Sequence, residues 1–280
     1  MLSATRARAL RVVAIALASA RRRLESAKIW RHKDIMGHYF KVLVLATLTV
    51  AVSAAAQTPG SSKPPARTQA RAGKMPPGAR LARFDPSLLQ PGSLRAKAPE
   101  VYEVKVVTTV GDFGLKITRA WAPNGADRFY NLILHHFYDG AAFFRVLPGF
   151  MAQFGLNPYP EVSRAWDKAI IKDDPVVQSN HRGFITYAMA GPNTRTTQVF
   201  INYGNNERLD KDGFAPFGVV TGGMEVVDKL YSGYGEGAPG GRGPDQGLIG
   251  NQGREYLEKM FPKLDTIKSA SLVPTQPAGR

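Results

Sequence analysis

The chain has 280 residues, 44% of them hydrophobic, with 37 Lys+Arg against 22 Asp+Glu and no cysteine. That length supports one good core, and the missing cysteine excludes disulfides, thiolate nucleophiles and cysteine-ligated metals. The formal charge of +15 suggests nucleic acid until it is located: residues 1–100 hold 18 Lys+Arg and 4 Asp+Glu, a net +14, whereas residues 101–280 hold 19 and 18, a net +1. A domain that grips nucleic acid by charge needs a basic face, so the count argues against that class.

Two short apolar runs come first, Leu10 to Ala20 and Val42 to Val52. Both fall below the roughly 20 residues that a membrane-spanning helix needs. Lys41, the second run, and Ala54 and Ala56 ahead of Gln57 form a secretory-signal pattern starting at Met36. The expectation is a leader over 1–56 with its signal segment at 36–56, and a periplasmic or secreted protein. If 42–56 is not cleaved, the segment becomes a membrane tether; otherwise no stable membrane domain is expected. Residues 1–35 read either as lying ahead of the true translation start or as a targeting extension. Residues 57–100, rich in Pro, Gly and basic side chains without periodicity, read as a linker.

The folded domain is expected over 101–272, followed by a flexible tail at 273–280. VYEVKVVTTVGDFGLKIT reads as two antiparallel strands joined at a turn. In PNGADRFYNLILHHFYDG, Phe129, Leu132, Ile133 and Phe137 recur at helical spacing. Further strands are predicted at 142–147, 150–154, 183–189, 197–203 and 215–220. A second helix should start at Met224, and a short extra one should lie near 254–260. LDTIKSASLV then supplies a closing strand. Nine glycines in 233–253 mark a surface loop too flexible to be core. Mostly strands with few helices point to a closed or nearly closed barrel.

Familiar catalytic groupings are weak. His135 and His136 would point about 100° apart on a helix, a poor geometry for sharing a metal, and His181 sits in a turn; no metal site is expected. The glycine pieces of 235–243 follow no strand of the dinucleotide-binding kind. What remains is a pattern of apolar and amide side chains. On a strand, Met151 and Gln153 share one face, as do Gln198 and Phe200 on another. Such faces suit an uncharged segment of polypeptide. Equally, Met151 and Phe200 could be barrel core, with the glutamines bonded to local backbone.

FFRVLPGFMAQFG, YAMAGPNTRTTQVFI and RLDKDGFAPFGVVTGGMEVVDKL resemble, in order and rough spacing, the signatures of cyclophilin-type peptidyl-prolyl cis-trans isomerases, in particular exported bacterial members. The resemblance covers about 101–270. It implies a closed eight-stranded antiparallel barrel capped by two helices, no cofactor and no covalent intermediate. It further implies a monomer that assists folding by rotating X–Pro bonds in proline-containing polypeptides. The family's catalytic arginine falls on Arg145, and Gln153 takes the place of the glutamine that holds arginine and substrate. The proline pocket falls on Phe150, Met151, Phe200 and Leu209; the peptide edge on Ala188, Met189 and Ala190; Gln198 and Phe214 adjoin it. Four positions depart. Met189 stands where many members have asparagine, Phe214 where histidine is common, and Arg208 where cyclosporin-sensitive members carry tryptophan. Phe154 follows the glutamine where glycine is usual, and is expected to narrow the groove. These departures keep a second reading open, a catalytically weak module that binds proline segments as a chaperone.

Overall fold

A computed structural model describes residues 83–274. The signal segment expected at 36–56 and most of the linker lie outside these residues, as does most of the expected tail.

The eight predicted strands are present: β1 Val101–Thr108, β2 Gly111–Thr118, β3 Arg145–Leu147, β4 Met151–Phe154, β5 Phe184–Tyr187, β6 Val199–Asn202, β7 Pro216–Gly222 and β8 Ile267–Leu272. They form one antiparallel sheet in the order β3-β4-β6-β5-β7-β2-β1-β8. Alternation dictates which residues face inward. On β1, Tyr102, Val104, Val106 and Thr108 are buried while their neighbours are exposed or half-buried. The inward side chains of β4 to β7, among them Ala152, Phe154, Ile185, Tyr187, Val199, Ile201 and Phe217, meet in one core.

The sheet is open, which corrects the expectation of a closed barrel. β3 and β8 are its two edges. Their approach is limited to the segment ahead of β3: Gly140 N–H donates to the Ile267 carbonyl at 2.7 Å, Phe143 N–H donates to the Asp265 carbonyl at 2.9 Å, and Ala142 bridges Thr266. Continuing that register would set Arg145 opposite Lys263, but residues 262 and 263 form a turn and leave the sheet there. The ladder therefore stops before β3 begins.

Among the described residues five α-helices accompany the sheet, against the expected two and a short extra one: α1 Pro123–Leu134, α2 Pro160–Trp166, α3 Met224–Asp228, α4 Gln246–Gln252 and α5 Arg254–Met260. The predicted helices are α1, α3 and α5. α1 buries Phe129, Leu132 and Ile133. α4 lies in the stretch expected to be loop; Asp245 caps it by accepting from Leu248 N–H at 2.8 Å, and Ile249 is buried. None of the described helices is long and apolar enough to cross a membrane.

The folded part begins earlier than the expected boundary at 101. Residues 83–98 lie as a strap along the helices: Leu88 is fully buried, and its carbonyl accepts from Trp166 Nε1–H at 2.8 Å. Asn131 exchanges two hydrogen bonds with the Ala96 backbone, and Asp127 accepts from Ala98 N–H. At the strap's start, His135 Nδ1 lies 2.7 Å from Asp85. His136 contacts Asp139 instead. Among the described residues no cluster of three His, Cys, Asp or Glu could hold a metal ion.

Candidate active site

The outward face of the sheet carries the candidate site, because the side chains that alternate with the core residues converge there. Register sets them side by side. Arg145 on β3 is opposite Gln153 on β4, Gln153 is opposite Phe200 on β6, and Phe200 is opposite Thr186 on β5. One row across four strands thus runs from a cation, through an amide and an aromatic ring, to a threonine. Met151 lies two residues from Gln153 on the same face. With Phe200 and Leu209 it forms a small buried cluster separate from the main core, against which Leu147, Phe150, Ala188 and Phe214 pack. The Phe200 and Phe214 rings meet nearly edge to face, centroids 5.9 Å apart.

Polar bonds fix the row. Arg145 Nη1–H donates to Gln153 Oε1 at 3.0 Å, and Gln153 Nε2–H donates to Gln198 Oε1 at 2.9 Å. A further acceptor was not anticipated from sequence: Glu236, in the glycine-rich loop, accepts from Arg145 Nε–H at 2.6 Å and Nη2–H at 2.7 Å. Desolvation raises the Glu236 pKa. The hydrogen bonds and charge of Arg145, with the Gly237 amide, outweigh it and hold the carboxyl below its ordinary range.

Behind the pocket lies a second group that sequence reasoning missed. Asn180 donates to the Phe214 carbonyl at 2.8 Å and to Asp210 at 2.7 Å, and accepts from Thr186 Oγ1–H. Asn206 donates to the Phe150 carbonyl at 2.8 Å and to Asn202. These buried amides hold the backbone on both sides of the pocket. Asn202 carried a faint signal, a polar residue at the parity that Phe200 occupies.

The remaining expected residues divide. Ala188 flanks the pocket, its N–H bonded to the Gln198 carbonyl. Met189 reaches over Gly213, where a Cβ would stand 3.5 Å from its Cε. Ala190 is exposed and its N–H already donates to Thr194 Oγ1, so it offers no amide to a peptide edge. Phe150 is half-buried, with the Arg208 guanidinium 4.8 Å from its ring centre and that of Arg145 at 6.0 Å. Phe154 does not narrow the groove. It sits 1% exposed in the main core against Tyr138 and Phe143, because its strand parity is opposite to that of Gln153.

The family model for cyclophilin type peptidyl-prolyl cis-trans isomerase/CLD matches residues 103–243. The chain belongs to this family. Relatives bear it out: a peptidyl-prolyl cis-trans isomerase of Acinetobacter baylyi is 33% identical over 143 residues, spanning 49% of this chain and 75% of the relative. Peptidyl-prolyl cis-trans isomerase A of Dickeya dadantii is 33% identical over 132 residues, 45% of this chain and 70% of the relative. The human peptidyl-prolyl cis-trans isomerase-like 3 is 32% identical over 130 residues, 45% and 80%. A crystal structure of a cyclophilin from Cryptosporidium parvum aligns over 63% of this chain and 99% of its own, with TM-score 0.47 and 19% identity. By its family and its named relatives, the chain is a cyclophilin-type peptidyl-prolyl cis-trans isomerase.

Proposed function

We propose that Arg145 is the catalytic residue, that Gln153 orients it, and that Met151, Phe200 and Leu209 floor a pocket for the proline ring. Amide resonance gives an X–Pro bond a rotational barrier of about 18–20 kcal/mol. Rotation passes through a twisted amide whose nitrogen regains its lone pair. A guanidinium N–H aimed there binds the twisted form better than either planar one, which accelerates rotation without a covalent step or a proton transfer. A guanidinium has five N–H donors; Glu236 takes two and Gln153 one, which leaves two for substrate. Phe150, Ala188 and Phe214 flank the pocket, and Met189 and Gln198 border the path of the chain on either side of the proline.

The observation that carries this reading is the register that sets a braced arginine beside an apolar floor on the outward face. Arg145→Ala should leave the fold intact and lower kcat/KM on a proline-containing peptide about 100-fold, the cost of removing one transition-state donor. Turnover equal to wild type in an NMR exchange assay would show the assignment to be wrong.

The signal pattern at 36–56 supports a further reading, that the protein works on exported polypeptides during their folding, and the near-neutral charge of 101–280 fits a polypeptide rather than a nucleic-acid partner. N-terminal sequencing of the mature protein should begin at or near Gln57; a mature chain that retains residues 36–56 would contradict export with cleavage.

A further inference from the structure

Glu236 makes the shortest hydrogen bonds to Arg145, yet it stands in a stretch whose sequence, GYGEGAPGGRG, promises only flexibility. The loop is in fact tightly built around this one residue. Gly243 N–H donates to the Glu236 carbonyl at 2.8 Å, Gly237 bridges Gly243, and Gly237 N–H donates to Glu236 Oε1 at 2.9 Å. A Cβ on Gly243 would stand 2.8 Å from the Glu236 carbonyl oxygen, and one on Gly237 would stand 2.8 Å from that of Pro244. The glycines let the backbone fold back on itself closely enough to place the carboxylate. Their presence reflects close packing, not looseness.

Arg145 requires such a brace. It lies on β3, a three-residue edge strand whose ladder partner in the sheet is β4. Its guanidinium is partly exposed, with side-chain accessibility of 23%. Gln153 restrains it through a single hydrogen bond. One bond leaves the plane of the fork free to turn, whereas a carboxylate bonded through both oxygens fixes that plane. The substrate amide is neutral, so its attraction to the guanidinium depends more on direction than on net charge. A carboxylate on the fork's edge weakens the field at the amide but fixes the direction of the two remaining donors.

We propose that Glu236 is the positioning residue for Arg145: the glycine-rich loop delivers a carboxylate that locks the guanidinium in its working plane before substrate arrives. This rests on the reading of Arg145 as catalytic. A misplacement of about 1 Å in a catalytic group can cost about 100-fold, so losing the lock should be visible in kcat with little change in KM.

The test uses the full chain and an unmodified Ala-Pro-containing tetrapeptide, with kcat and KM read from NMR exchange. Glu236→Gln keeps the side chain's size and one acceptor and removes the charge and the second acceptor. It should lower kcat about tenfold or more while KM stays within about twofold. In the wild type, the Arg145 Nε–H resonance should be resolved and slow to exchange with water; in Glu236→Gln it should be averaged or lost, a change that structural damage elsewhere in the loop would not produce. On an Arg145→Ala background, Glu236→Gln should change nothing further. Wild-type kcat in Glu236→Gln would overturn the proposal, as would a raised kcat, which would make the carboxylate a brake. So would a Glu236→Gln loss that persists without Arg145. If Arg145→Ala itself turns over like wild type, the catalytic assignment fails first, which separates the two readings.

Discussion

Phe154 and Phe200 occupy neighbouring strands, one register position apart, and do opposite work. Phe154 faces inward and contacts Tyr138 and Phe143, with ring centroids 5.5 and 5.1 Å away. Truncating it opens a cavity in the main core, so Phe154→Ala should cost about 3–5 kcal/mol of stability in urea unfolding and leave the KM of the folded protein unchanged. Phe200 faces outward in a cluster of three buried side chains at the edge of solvent. Phe200→Ala should raise KM about tenfold if its ring floors the proposed proline pocket, with a smaller loss of stability. Equal effects of the two substitutions on both quantities would refute the division. Strand parity already contained this answer: once Gln153 points out, Phe154 must point in, whatever residue relatives carry there.

The helix α1 and the strap upon it rely on partners far away in sequence. Ala122, at the helix N-terminus, provides no side-chain cap, and Asp174 accepts instead from Asn124 N–H at 3.0 Å and Gly125 N–H at 2.9 Å. Arg195, as buried as Asp174, contacts it at 3.1 Å. The 3.6-residue period identified the helix but could not name a cap fifty residues downstream. The strap escaped notice for a related reason. Its Pro, Gly and basic residues lack periodicity, and its order comes from single contacts to α1 and Trp166. Two of its anchors are carboxylates with lowered pKa. Asp85 falls from 3.8 to about 2, chiefly through its hydrogen bond with His135, against opposing desolvation and with help from Ser87. For Asp127 desolvation opposes the charge, but Arg119 and the Ala98 amide prevail. A depressed carboxylate contributes stability that is complete above its unfolded pKa and is lost as pH falls through the folded one. Amide exchange in residues 83–98 should therefore accelerate, relative to the sheet, as pH drops from about 4 toward 2. Uniform exchange of strap and sheet across that range would contradict this.

Taken whole, the molecule shows a sharp limit between what pattern reveals and what only contact reveals. Period-two and 3.6-residue patterns depend on neighbours along the chain, and they located all eight strands and α1. They also put Arg145, Gln153, Met151 and Phe200 on faces that the register then joined. Glu236 left no trace of this kind, because a lone acid among glycines has no period and its partner lies 91 residues away in sequence. The open sheet was equally hidden. It depends on the turn at 262–263 falling where β3 would need a partner, a matter of registration between distant segments. Net charge was informative only once divided, since the +14 of the first hundred residues says nothing about the domain that follows.

The unclosed margin beside β3 has a consequence for how such an enzyme can change over time. Segments inserted or lengthened at a free edge disturb no ladder, so this border tolerates novelty that the interior strands would reject. The loop bearing Glu236 contacts Arg145 across that border. If Glu236 positions Arg145 as proposed, catalytic rate is set from a loop outside the strands, and substitutions there change turnover while the sheet stays untouched.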